Sequence, residues 1–207
     1  MNAEQARRLI VGISGATGSI YGIRLLQALR ETGVETYLIV SKWGARTLAH
    51  ETPYKLDEVQ RMAAFAYSPN DQGAPVSSGS FLTNGMVVAP CSMRTLAAIA
   101  HGNGEHLIHR AADVILKERR KLVLVVRESP LNEIHLENML KLSRMGVVIL
   151  PPVPAFYNHP QSIEEVVDHT VMRVLDQFDM HVELTRRWDG DMLAGGVQTP
   201  VSGDASS

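Results

Sequence analysis

Short, uninterrupted apolar runs alternate with amphipathic stretches along most of the chain. The run at residues 8–14 is brief, continuous and rich in β-branched side chains, which predicts a strand buried on both faces. Residues 19–32 follow with Gly22, Leu25, Leu26 and Leu29 on one helical face, and Gly33 stops the helix. The same alternation predicts further strands at 34–40, 85–89, 122–126 and 147–150. Between them it predicts helices at 45–51, 94–101, 107–120, 132–145 and 162–178. The last is the clearest: Ser162 and Glu165 read as a capping box ahead of an apolar stripe from Ile163 to Phe178. Residues 68–80 and 101–104, rich in Ser, Pro, Gly and Asn, read as loops. Strands alternating with helices predict an α/β fold, three-layered and doubly wound around a mostly parallel sheet.

Composition narrows the class. At 207 residues the chain has room for one good core and is short for two. We expect one α/β domain over residues 1–190 and an irregular or disordered tail over 191–207. A net charge of −2 gives no electrostatic case for nucleic acid. The single cysteine, Cys91, excludes an internal disulfide framework and fits a reducing compartment. The first eight residues lack the apolar region of a secretory signal, and no apolar run is long enough to span a bilayer. These features predict a soluble cytoplasmic protein with no membrane partner.

Two predicted strands end in turns of small and hydroxyl residues. One carries Gly12-Ile13-Ser14-Gly15-Ala16-Thr17-Gly18, the other Pro90-Cys91-Ser92-Met93-Arg94-Thr95. An open parallel sheet places its ligand beyond the carboxyl ends of strands. There the turn N–H groups and roughly half a positive charge from the following helix favour an anion. Two such turns point to one shared anionic ligand. The glycine spacing departs from the dinucleotide fingerprint, and Ser41-Lys42 stands where an NAD site wants an acidic residue. NAD is therefore disfavoured, while other phosphate-bearing ligands, NADP included, stay open. Taken alone, the glycine turn serves packing as readily as binding, and Ser92 serves as a plain N-cap.

Other residues carry weaker signals. Cys91 lies beside Pro90 with no evident base, so it reads as a buried small residue rather than a nucleophile. Glu51 and Glu128 are candidate proton handlers, although solvated surface carboxylates are the plainer reading. Arg173 borders the apolar stripe of the last helix, where it either snorkels or meets an anion. Lys117, Arg127, Tyr157 and Arg173 could together grip a phosphate, but periodicity does not bring them together. His106 and His109 read as helix-surface residues rather than metal ligands, and no metal is expected.

With these residues in view, the chain resembles the UbiX-type flavin prenyltransferases, including the branch described as small subunits of phenolic-acid decarboxylases. The similarity runs from about Arg8 to Trp188. It rests on the two turns above, Ser41-Lys42, Glu51-Thr52, Ser77-Ser78-Gly79-Ser80-Phe81 and Arg110-Ala111-Ala112-Asp113-Val114. Leu116-Lys117-Glu118-Arg119, Val126-Arg127-Glu128, His135-Leu136-Glu137-Asn138-Met139-Leu140 and Pro151-Pro152-Val153-Pro154-Ala155-Phe156-Tyr157 complete it.

The resemblance implies a flavodoxin-like or Rossmann-like homo-oligomer, typically a dodecamer, that binds reduced FMN. It implies transfer of a dimethylallyl group from dimethylallyl monophosphate to flavin N5 and C6, without a metal. It implies that the prenylated FMN then serves a UbiD-type decarboxylase. Gly15, Ala16, Thr17, Ser41, Ser92, Met93, Arg94, Thr95 and Arg127 match FMN-binding positions. Lys117, Arg127, Tyr157 and Arg173 match the grip on the prenyl phosphate, some of them reaching in from neighbouring subunits. Thr17, Glu51, Glu128 and Trp188 match positions near the reacting centre. Two departures stand out: Thr17 replaces a serine common in relatives, and Lys121 replaces a proline. Competing readings are an FMN-dependent decarboxylase of a cysteinyl substrate, for which His50 would have to serve as the catalytic histidine, and a non-catalytic flavin-binding subunit.

Overall fold

Six strands form a single parallel sheet in the order β3-β2-β1-β4-β5-β6. The structure is a computed structural model that describes residues 7–188 and Gly190; the tail expected over 191–207 lies outside them. The strands are β1 (Arg8–Ile13), β2 (Glu35–Val40), β3 (Phe65–Tyr67), β4 (Gly85–Cys91), β5 (Lys121–Val126) and β6 (Val148–Ile149). The helices are α1 (Ser19–Glu31), α2 (Lys42–Glu51), α3 (Leu56–Gln60), α4 (Met93–Ala100), α5 (Leu107–Lys117), α6 (Glu133–Arg144) and α7 (Ile163–Asp176). Short 3-10 turns occur at Pro75–Ser77 and Phe156–Asn158.

Alternation along each strand builds the three layers, because successive side chains point to opposite faces. Leu9, Val11 and Ile13 face one core with Leu26 and Leu29 of α1 and Val171 and Leu175 of α7. Ile10, Met86, Val88 and Leu124 face the other, with Leu96 of α4, Ile108 and Ile115 of α5 and Leu142 of α6. A core side chain such as Leu26, fully shielded from solvent, contributes about 1.5–3 kcal/mol by burial. Gly22 lets α1 lie directly on β4: a Cβ there would sit 2.3 Å from the Ala89 carbonyl oxygen.

The expected doubly wound layering holds, and every strand pair is parallel rather than most. Two elements escaped the sequence reading, β3 and α3. Without the three-residue edge strand β3 the order is that of a flavodoxin-like sheet; with it, the order is that of dinucleotide-binding folds. α2 begins at Lys42 rather than at 45, because Ser41 caps it by accepting from Gly44 N at 2.9 Å. α5 ends at Lys117 rather than 120, and α7 ends at Asp176 rather than 178. Strand order reverses between β1 and β4, so the carboxyl ends of those two strands flank the crevice where such sheets bind ligands. No helix among the described residues is long and apolar enough to cross a membrane.

Candidate functional site

The two turns read from the sequence meet at that switch point, and backbone bonds lock them together. Ser14 is buried; its N–H donates to Pro90 O at 3.2 Å, and its hydroxyl donates to the same oxygen at 2.9 Å. Ser92 N donates back to Ser14 Oγ at 2.8 Å. Ser41 N donates to Ile13 O at 2.9 Å, and Arg127 N to Cys91 O at 3.1 Å. The ends of β1, β2, β4 and β5 are thus tied into one rim.

A cleft of about 790 Å³ opens on this rim. Gly15, Ser41, Ser92, Arg94 and Thr95 line it, five of the nine positions expected to bind flavin. Lys42 and Trp43 of α2 line it too. Ser92 caps α4, accepting from Thr95 N at 3.3 Å, while its hydroxyl donates to Thr95 Oγ1 at 3.1 Å. The remaining first-turn N–H groups of α2 and α4, those of Lys42, Trp43, Met93 and Arg94, have no intrahelical acceptor. Helix ends and two cations therefore converge on one opening, a donor set that fits a phosphomonoester. Its volume lies within the range of small-molecule sites. Gly15 is required here: a Cβ on it would stand 2.5 Å from Trp43 Cβ. Among the described residues no cluster suits a metal ion.

The first turn corrects one expectation. Its helix N-terminus is already held by an anion of the chain itself, since Gly18 N and Ser19 N donate to Glu51 Oε2 at 2.8 and 3.1 Å. Glu51 is thus a cap for α1, not a merely solvated carboxylate. Partial burial acts to raise its pKa. The Thr17 hydroxyl and the Ser19 and Gly18 N–H groups outweigh this and hold it below the usual carboxylate value. The Gly18 and Ser19 N–H groups are thus occupied, while Gly15 of the same turn lines the cleft beside the second turn and the α2 terminus. Ala16 and Met93 are buried in the rim and Thr17 is exposed beside Glu51.

Cys91 is fully buried and its thiol pKa is pushed up by burial, as befits a packing residue. His106 and His109 depart from the expected helix surface: both line the cleft, with His106 capping α5. Glu128 is exposed at the end of β5, where its carboxylate accepts from Ser129 N at 3.1 Å. Arg127 is exposed beside it and near Tyr21, whose hydroxyl pKa burial raises against the arginine's opposing charge.

The four expected phosphate-grip residues do not gather in one chain. Tyr157 and Trp188 do meet, edge to face, with ring centroids 5.5 Å apart. Tyr157 also approaches His169 Nε2 at 3.4 Å, on the α7 face that carries Arg173. Arg173 donates to Asp176 at 3.0 Å, and Asp176 takes two bonds from Arg187 at 2.9 and 2.8 Å. Those bonds, Arg187 first, hold the Asp176 carboxyl below its usual range. Lys117 lies elsewhere. It ends α5 at the amino edge of the sheet, just before β5, paired with Glu118. The sequence reading missed His169, Asp176 and Arg187; no local pattern marks them.

The family described as Flavoprotein matches residues 2–175. A "Probable UbiX-like flavin prenyltransferase" of Bacillus subtilis (strain 168) is 59% identical over 183 residues, covering 88% of this chain and 90% of the relative. A crystal structure of AnUbiX (PadA1) in complex with FMN and dimethylallyl pyrophosphate superposes with a TM-score of 0.89 at 53% identity, over 90% of this chain and 99% of that one. The dodecameric FMN-dependent UbiX-like decarboxylase from Escherichia coli O157:H7 gives a TM-score of 0.87 at 58% identity, over 88% and 100%. With that identity spread over nearly the whole fold and the flavin-type cleft in place, the chain belongs to the flavoprotein family and, within it, to the UbiX-like flavin prenyltransferases.

Proposed function

We propose that the protein moves a dimethylallyl group from dimethylallyl monophosphate to N5 and C6 of reduced FMN, and that a UbiD-type decarboxylase uses the product. The observation that carries this reading is the cleft at the β1/β4 switch point, where Gly15, Ser41, Ser92, Arg94 and Thr95 converge. In this reading Arg94, Lys42 and the first turns of α2 and α4 would hold the FMN phosphate. Reduced FMN, when bound, supplies the electron-rich ring positions that accept the alkyl group.

The chain's own residues then have three tasks. Cations hold the leaving phosphate, so that the allylic C–O bond breaks toward separated charges. Arg173 serves from the α7 side, with the Tyr157 hydroxyl as a neutral donor beside it; Arg127 serves from the end of β5. Lys117, at the opposite edge of its own sheet, reaches a cleft only from a neighbouring copy. The Trp188 ring, held beside Tyr157, offers its face to the cationic allyl group, worth about 2 kcal/mol when desolvated. Glu51 would receive the proton leaving flavin C6 on Oε1, the oxygen not held by the Gly18 and Ser19 N–H groups. Because Oε2 is committed to two N–H groups, the carboxylate is a weak base and a relay, passing the proton to Glu128, the released phosphate or water.

The reading includes a homo-oligomer, a dodecamer, in the cytoplasm, with residues 1–190 as its one FMN-binding domain. Exposed apolar side chains support contact between copies: Ile134, Leu136 and Leu140 stand out on α6, Ile134 at 64% exposure. Anaerobic incubation with reduced FMN and dimethylallyl monophosphate, followed by flavin mass measurement, tests the proposal. A gain of one prenyl unit is expected; unmodified flavin at saturating donor would overturn it and leave a flavin-binding subunit as the better account.

A further inference from the structure

One wall of the cleft carries chemistry that the transfer reaction does not use. His106 and His109 stand there at the start of α5, their ring centroids 5.2 Å apart. His106 Nδ1 accepts from Ile108 N at 3.3 Å, which leaves its Nε2 as the free nitrogen. His109 Nδ1 is buried and has no hydrogen-bond partner. Burial lowers the pKa of both imidazoles, that of His109 to about 4, and the Arg94 guanidinium adds to the effect. Two neutral histidines thus face the arginine that the rim offers to an anion.

We propose that His106 and His109 are the phosphate-sensing wall of the cleft, taking up a proton when a dianionic phosphomonoester settles on Arg94. The inference rests on the reading that this cleft holds FMN. The other charged or titratable groups lining it are Lys42 from α2, Arg94 and His101 from α4, and Glu105 from the segment before α5. The strands behind α5 present Met86, Val88, Leu122 and Leu124, which carry no charge. The 3-10 turn packed on α5 is Pro75–Ser77, also without a titratable group. Burial, with the Arg94 charge adding to it, therefore keeps the imidazoles unprotonated. A phosphate dianion reverses the local field and favours the imidazolium forms. A group whose pKa rises on binding makes affinity increase as pH falls through its bound-state value. Riboflavin offers the same ring without the phosphate, so the pair discriminates FMN from riboflavin, and more strongly in mild acid.

The test is a flavin-fluorescence titration of the full chain with FMN and with riboflavin, from about pH 8 to about pH 5.5. The FMN-to-riboflavin affinity ratio is expected to rise about tenfold across that range, which takes a rise of about two units in each imidazole, because His109 starts from about 4 and the phosphate's own protonation works against the pair. Without the histidines the ratio falls instead, because the phosphate's own second pKa, about 6, depletes the dianion. A double variant, His106→Gln with His109→Gln, should show that fall. Calorimetry in two buffers of different ionisation enthalpy should show less proton uptake by the variant than by the parent. A flat or falling ratio in the parent protein, with FMN bound, overturns the inference and leaves the cleft reading intact. Absence of flavin binding overturns both. The slope in the parent decides the matter even if the variant does not fold.

Discussion

The switch-point cleft and the α7 cluster are built by different means. Strand ends wall the cleft, and main-chain bonds such as Ser41 N to Ile13 O and Arg127 N to Cys91 O fix them. The α7 cluster is made of side chains on one helix face, a 3-10 turn and the segment after the helix. Its two aromatic residues are half exposed: Tyr157 at 51% and Trp188 at 48%. Rigid backbone suits the larger ligand, whose ring has to be presented at a fixed angle. Exposed side chains suit a small leaving group, and they are complete only when another surface covers them. On the proposed function the cleft is therefore a property of one chain, and the cluster is half of a site.

The hardest blow to the comparison is at Gly44, in the first turn of α2. A Cβ there would stand 2.5 Å from the Ile13 carbonyl oxygen, which is backbone and cannot step aside. Gly44→Val should cost about 3 kcal/mol or more of stability, at the upper end of overpacking effects. Flavin binding should be lost in the fraction that still folds, by thermal unfolding and fluorescence titration. Near-native FMN affinity in that variant would show that the rim is not set by main-chain contact.

Two arginines then separate the regions. Arg94→Ala removes a charge-assisted contact worth about 1.5–3 kcal/mol, so FMN affinity should drop about ten- to hundredfold. Binding of the prenyl phosphate to flavin-loaded protein should change little. Arg173 lies outside the cleft, so Arg173→Ala should raise KM for dimethylallyl monophosphate about tenfold, a softer loss because the side chain is exposed and shares Asp176 with Arg187. FMN affinity should be untouched. Equal losses of both ligands in either variant would merge the two regions into one.

These differences also explain what the sequence made legible. β1 and β4 read clearly because a strand buried on both faces is a continuous apolar run, and the turns after them carry glycine and hydroxyl residues with a local reason to be there. β3 escaped because Phe65-Ala66-Tyr67 is a three-residue edge, mostly exposed, with no period to detect. α3 has only five residues. The expected start of α2, at 45, falls three residues late because Ser41 caps the helix ahead of Gly44. His109 lies in α5 and His106 caps it, but both line the cleft rather than an outer helix surface. Nothing local says that the start of α5 turns toward α4. Asp176 and Arg187 meet across an irregular segment of eleven positions, which no periodicity encodes. Lys117 matched its motif, yet its place at the far edge appears only once the sheet is wound.

The smallest effect falls at the seam between ligand site and scaffold, on Glu51. Its carboxylate caps α1 through Gly18 N and Ser19 N, and its folded pKa lies below the unfolded value. A depressed carboxylate stabilises the fold fully above the unfolded pKa, about 4.3, and that stability is lost as pH falls through the folded value. Glu51→Gln keeps the shape and an acceptor oxygen but removes the charge at the helix terminus. The usual cost of a lost N-cap, about 1 kcal/mol, is an upper figure here, because solvent screens this exposed side chain. Parent and variant should therefore differ by about that much in denaturant unfolding at neutral pH, and the two curves should draw together below about pH 4. FMN affinity should stay within a few fold, since this anion is the scaffold's own and not the ligand's. A gap in stability that persisted in acid would mean that Glu51 acts through packing rather than charge, and its ionised form would then have no part in holding the first turn.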